Sequence, residues 1–453
     1  MSSVICNTKK RRSLKFSSEL LIKCALLLII YMDVVRAYLI DSIVILVFSV
    51  LIIIFTSLLH VSKFGYFPLA KDKSIFLLLI FFPALLFSAN YSGEFIFKDL
   101  FLFFVNPMLY FSFYILLRNK DIVKFIYSLF LLIFLLESAF ILIEGLDFLL
   151  GFDIHRIGLI EWYIKSDAGR FEHIYLSGNT GEIFQFLPTA LGLHGFPHYT
   201  APLYTVSFII LAAALFSKSS RFYPRSNVIQ ILFLSLGFLC IYLLGVKTHF
   251  VTSIISIFII GVFVNKKILA YFGVIFTLLF SFTVMSDWGM VRYENYKEQI
   301  FEGGYRYEGN EKVEEPGRLE VIFNFNEYLI FLDINPVDLL SGVADFNSIN
   351  TYEGYLFEQK ILVYALVLGL PYVLIILGLI IMGISDCIRI YIKSNDLEIK
   401  SFSVALGSAV LILLLEMGHF GFTFNYPNFQ ILFLLLAVIS IIRVKNRRCR
   451  GKQ

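Results

Sequence analysis

Residues 201–264 read APLYTVSFIILAAALFSKSSRFYPRSNVIQILFLSLGFLCIYLLGVKTHFVTSIISIFIIGVFV. Three apolar runs, 201–217, 227–244 and 249–264, contain no Asp, Glu, Lys or Arg. Each approaches the ~20 residues that a helix needs to cross a hydrocarbon layer of ~30 Å. Lys218, Arg221 and Arg225 crowd the first connection, whereas the second is only the corner Gly245–Thr248. A basic hinge at one end and a tight corner at the other describe antiparallel membrane helices.

The whole chain obeys the same rule. Of its 453 residues, 58% are hydrophobic and only 16% charged, and phenylalanine occurs 50 times. A soluble domain carries roughly 25% charged residues, and the mean hydropathy of +0.80 points the same way. A soluble enzyme, a disordered chain and a nucleic-acid-binding domain are excluded. The expected fold is an all-α polytopic integral membrane protein of about twelve transmembrane helices. Apolar runs near 19–34, 41–60, 74–90, 99–117 and 122–143 form an N-terminal bundle, 19–143, behind a basic tail, 1–18. Runs at 201–217, 227–244, 249–264 and 268–286 form helices 6–9, within 201–286. Those at 357–383, 402–419 and 428–443 form helices 10–12, within 357–443, with a basic tail, 444–453, beyond them. No small-residue cleavage site comes after Met1–Ser18, so no cleavable leader is expected.

Basic residues set the orientation. Lys9, Lys10, Arg11, Arg12 and Lys15 precede the first span, and Lys63, Lys71 and Lys73 come after the second. Arg118 and Lys120, then Lys266 and Lys267, then Arg389, Lys393 and Lys400, mark further cytoplasmic segments. Arg443, Lys445, Arg447, Arg448 and Arg450 complete them. Both termini are expected in the cytoplasm.

Two segments on the opposite face, 144–200 and 287–356, are too long to be mere connections. Six of the seven histidines (His155, His173, His194, His198, His249, His419) fall on that face or at its membrane edge. The five cysteines show no zinc or redox spacing. Walker, GxGxxG, HExxH and GxSxG motifs are missing, and the outer loops hold no DxD pair for a nucleotide-sugar metal. A reaction on this face must start from an already activated substrate.

In the second long loop, Glu314-Glu315-Pro316-Gly317-Arg318-Leu319-Glu320 opens a stretch with Leu319, Ile322, Phe323, Leu329 and Ile330 at helical spacing. Pro316 and Gly317 punctuate the start of an amphipathic helix, with Arg318 in its first turn. A guanidinium beside free N–H groups suits a pyrophosphate; equally, it suits a surface ion pair with Glu314 or Glu315. Lys247 and His249 lie at the outer edge between two spans, either snorkelling to headgroups or facing an anionic headgroup in a cavity. His194 and His198 lead into a span, and Arg156, Arg170 and His173 share their loop. Histidine shuttles protons near neutral pH, and Glu353 at a span entrance is a candidate general base or a solvated carboxylate. Glu416 and His419 lie near the outer end of another span, where a buried Glu416 would point to function.

The order of these pieces resembles the superfamily of O-antigen polymerases and O-antigen ligases, which are membrane glycosyltransferases. Gly195-Phe196-Pro197-His198-Tyr199 is similar to its Gly/His-Pro segment. Gly245-Val246-Lys247-Thr248 is similar to its Ser-Arg-Thr turn, with lysine for arginine. Gly317-Arg318-Leu319-Glu320, Asn335-Pro336 and Leu340-Ser341-Gly342-Val343 resemble the superfamily's Gly-Arg segment, which runs to a Pro and a Gly-x-Gly. Tyr352-Glu353-Gly354-Tyr355-Leu356 and Gly369-Leu370 resemble its closing stretch, where ligases place a His-Asn pair and this chain has Tyr352-Glu353. That departure favours the O-antigen polymerase.

The resemblance implies transfer of a growing glycan from undecaprenyl pyrophosphate to the non-reducing end of the next lipid-linked repeat, on the periplasmic face of a bacterial inner membrane. Arg318, Glu353 and His198 would be catalytic, with Glu353 the first choice as base. Lys247, Arg170, Arg156, His194, His249 and His419 would bind pyrophosphate or glycan. It implies no metal or other cofactor, a membrane-lipid environment and a chain-length regulator protein as partner; no nucleic acid is involved. An O-antigen ligase and a lipid-linked oligosaccharide flippase remain alternatives.

Overall fold

The computed structural model describes residues 12–31, 50–59, 108–118, 120–150, 192–193, 197–217, 226–285, 290, 304–308, 311–315, 370–419 and 428–450. Eleven helices lie among them: α1 (Arg12–Ile30), α2 (Val50–Leu59), α3 (Met108–Leu117), α4 (Ile122–Leu150), α5 (Pro197–Phe216), α6 (Asn227–Leu244), α7 (Lys247–Phe263), α8 (Lys267–Met285), α9 (Leu370–Lys393), α10 (Leu397–His419) and α11 (Asn428–Arg450). Six of these (α4, α6, α8, α9, α10 and α11) contain stretches long and apolar enough to cross a membrane, and α2, α3, α5 and α7 hold shorter apolar stretches. Every expected span except 74–90 contains a described helix; that one lies outside the described residues. The chain is a polytopic helical membrane protein.

The hub is α5. From Thr200 to Ser217 all its residues are buried, so it is apolar all round, as a helix enclosed by others must be. It packs against α4, α6, α7, α10 and α11, while α10 packs in turn against α7, α9 and α11. Aromatic contacts hold α4, α5 and α6 together: Phe134 stacks on Tyr204 at 5.2 Å and lies tilted 4.7 Å from Phe233, and Phe208 meets Phe238 edge-on at 5.3 Å. Gly237 admits the Phe208 ring, because a Cβ there would meet it at 2.2 Å. By contrast, α8 exposes Val274, Leu278, Phe280, Phe282, Val284 and Met285, an apolar face suited to lipid.

Cross-links between helix ends show that successive helices from α4 to α11 alternate in direction. At one end Lys445 Nζ donates to the Lys120 carbonyl, Asn265 to the Phe216 carbonyl, Gln230 to the Leu215 carbonyl, and Ser217 to Ser401. There Arg443 pairs with the buried Asp386, with Arg389 3.7 Å from the same carboxylate. This basic end gathers the chain segments around 118–121, 265–267, 386–400 and 443–445. At the opposite end Ser138 meets Tyr204 at 2.9 Å, Tyr242 meets Thr283 at 2.9 Å, and His249 meets Glu416.

Helix ends differ from those expected. Backbone helix continues to Leu150 in α4, to Lys393 in α9 and to Arg450 in α11, because an i to i−4 ladder needs no apolar surroundings. The tail from 444 is therefore largely a continuation of α11. One element departs from the all-α expectation: β1 (Gly304–Glu308) pairs antiparallel with β2 (Glu311–Glu315), Gly304 opposite Glu315 and Glu308 opposite Glu311. In the sequence, Gly309-Asn310 between Tyr-rich and Val-containing stretches is a hairpin signal. The amphipathic helix expected after Pro316 lies outside the described residues.

Candidate functional site

Among the described residues, the end opposite the basic cluster carries two buried carboxylates. The first belongs to a corner built by Gly245. Helix α6 ends at Leu244; Gly245 takes a left-handed conformation (φ 70°) and its N–H donates to the Tyr242 carbonyl at 3.2 Å. Val246 is extended and offers no side-chain cap, and α7 begins at Lys247. Lys247, Thr248 and His249 thus fill the first turn of α7, where backbone N–H groups lack intrahelical partners and the dipole is positive.

His249 points into the bundle, 1% exposed, and meets Glu416 from the last turn of α10, 0% exposed. Its Nε2 lies 2.9 Å from Glu416 Oε2. The distance is that of an ion pair, yet the atoms are not aligned for a hydrogen bond, and both ring nitrogens and both carboxylate oxygens lack hydrogen-bond partners. The His249 carbonyl, in contrast, is well served: Thr252 and Ser253 both donate hydroxyls to it. The backbone is fixed while the side-chain pair is not satisfied. Such a pair is able to hold one proton between imidazole and carboxylate, close to a helix terminus that favours negative charge.

The second carboxylate is Glu137, fully buried in α4. Its Oε2 accepts the backbone N–H of Leu193 at 3.1 Å, and Tyr31, just past α1, faces it. Gly192 has φ 70°, and a Cβ there would lie 2.5 Å from Thr200 Cγ2 and 2.9 Å from Glu137 Oε2. Glycine is required by both conformation and space. Glu137 therefore pins a buried turn immediately ahead of the segment that carries His194 and His198.

Of the residues singled out from sequence, the structure brings His249 against Glu416. It also places Lys247 in the first turn of α7, His198 in the first turn of α5 and His419 at the close of α10; their side chains lie outside the described set. Arg156, Arg170, His194, Arg318 and Glu353 lie outside the described residues. Glu137 was not among the residues expected from sequence, although its signal was present: a single carboxylate inside the apolar run of 122–143. No protein-family model, no curated protein and no solved structure matches this chain.

Proposed function

We infer that the chain is a surface-polysaccharide polymerase of the O-antigen type, joining lipid-linked repeats at the periplasmic face of a bacterial inner membrane. One observation carries this reading: Lys247 begins a helix beside a buried imidazole–carboxylate pair, at the end of the bundle away from the clustered basic residues. By the preference of Lys and Arg for the cytoplasmic side, the basic end faces inward and the Lys247 end outward.

In the proposed reaction an acceptor sugar hydroxyl attacks the anomeric carbon of the donor, and undecaprenyl pyrophosphate leaves. The leaving group is a stable anion, so it calls for cations and N–H donors more than for an acid. Lys247 and the first turn of α7 supply both, and Arg318, with Arg170 or Arg156, completes the set. A donor already activated as a diphosphate needs neither nucleotide nor metal. A flippase is disfavoured by the two long segments 144–200 and 287–356, which hold most of the candidate cations, whereas a transporter carries such groups within its spans.

Arg318→Ala and Lys247→Ala, expressed in a strain lacking the native gene, are expected to abolish long polymer while single lipid-linked repeats persist. Loss of one such contact costs about 3 kcal/mol, or roughly a hundredfold in rate. Unaltered chain-length ladders in both variants would overturn the reading. In the deletion strain itself, a single repeat still capping the lipid core supports a polymerase, and bare core supports a ligase.

A further inference from the structure

The proposed reaction leaves one proton to be placed, that of the attacking hydroxyl. The pair at the start of α7 offers an acceptor of the right kind. Glu416 Oε2 lies 2.9 Å from His249 Nε2. Once aligned, a carboxylate this close to one ring nitrogen favours the tautomer protonated there, which leaves the other nitrogen as a lone-pair acceptor. That nitrogen, Nδ1, is buried and has no hydrogen-bond partner. A buried polar group without a hydrogen-bond partner is costly, and groups of this kind call for an explanation.

We propose that His249 Nδ1 accepts the proton of the incoming sugar hydroxyl and that Glu416 is the positioning residue that sets its tautomer and steadies the imidazolium. This rests on the polymerase reading. The step balances: the hydroxyl O–H proton passes to Nδ1 as its oxygen bonds the anomeric carbon. The anomeric C–O bond breaks, and its electron pair leaves on undecaprenyl pyrophosphate. The imidazolium then gives up its proton to water once the product has left and solvent reaches the ring.

Three features fit the assignment. His249 is the third residue of α7 and Glu416 lies in the last turn of α10, so both stand within about one helical turn, ~5 Å, of their helix ends. Burial of both groups keeps bulk water from the acceptor position, where water would otherwise hydrolyse the activated donor. The misaligned Nε2 contact is what a proton-transfer pair shows before substrate aligns it. A purely architectural role, Glu416 as the anion at the α7 N-terminus, leaves the orphaned Nδ1 without a purpose.

The test uses full-length wild type, His249→Asn, Glu416→Gln and Glu416→Asp, each shown to be monodisperse and reconstituted with a synthetic lipid-linked repeat. His249→Asn is expected to lower kcat by about 10²–10³-fold at unchanged KM. Glu416→Gln is expected to lower kcat by about tenfold or more, and Glu416→Asp to restore most of it. Wild type that elongates while His249→Asn keeps its kcat, or loses only KM, overturns the assignment and leaves the polymerase reading standing. Wild type that elongates nothing overturns both. Should His249→Asn not be monodisperse, the Glu416 pair decides: a loss in Gln recovered by Asp supports the assignment, and equal rates in both reject it.

Discussion

Arg443 and Asp386 show how charge survives in an apolar bundle. Each is buried, and the two pair across α11 and α9. Removing one partner strands the other, which costs about 3–5 kcal/mol, whereas replacing both with apolar residues of similar volume is close to neutral. Asp386→Ala is therefore expected to lower the midpoint of thermal unfolding in detergent, and Asp386→Leu with Arg443→Met to recover most of the loss. A double variant as unstable as the single one would contradict this. From sequence, Arg443 was legible only as one of the terminal basic residues, because a charge near a span end says nothing of its partner. The same holds for His249 and Glu416. Their position near span ends was legible, but their contact depends on α7 lying against α10, and apolar periodicity does not encode which helix is whose neighbour.

Among the elements, α5 and α4 separate what hydropathy reveals from what it hides. The apolar run 201–217 marked α5 within a few residues, since membrane insertion needs only length and apolarity. Its place at the centre is favoured by buried Thr200, Thr205 and Ser207, whose small side chains allow close approach. In α4 the informative residue is Glu137, which holds the Gly192–Leu193 turn through the Leu193 N–H. Glu137→Ala leaves that donor without its acceptor, at a cost of about 1–3 kcal/mol; Glu137→Gln keeps an oxygen in place. A cysteine at the buried Leu193 position is expected to react severalfold faster with maleimide in the Ala background and at the original rate in the Gln background. Equal labelling in both would show that the carboxylate does not pin the turn. The hairpin β1–β2 was missed because a short polar element leaves no mark on an apolar profile, and its only cue is its turn pair.

At the scale of the molecule, the alternation of helices was legible from the charges alone. Arg118, Lys120, Lys266, Lys267, Arg389, Lys393, Lys400, Arg443 and Lys445 come from separate segments, yet the fold gathers those segments at one end. The opposite end holds the two buried carboxylates, the imidazole and the tight corner at Gly245. Charge segregation of this kind orients a bundle. The proposed function requires this face to join lipid-linked repeats without nucleotide or metal. It is tested most directly by supplying the purified protein, in vesicles containing a chelator and no ATP, with a lipid-linked repeat. A ladder of lengthening glycans is expected, with one undecaprenyl pyrophosphate released for every repeat joined. Substrate that stays a single repeat, whether untouched or merely moved across the bilayer, would contradict it.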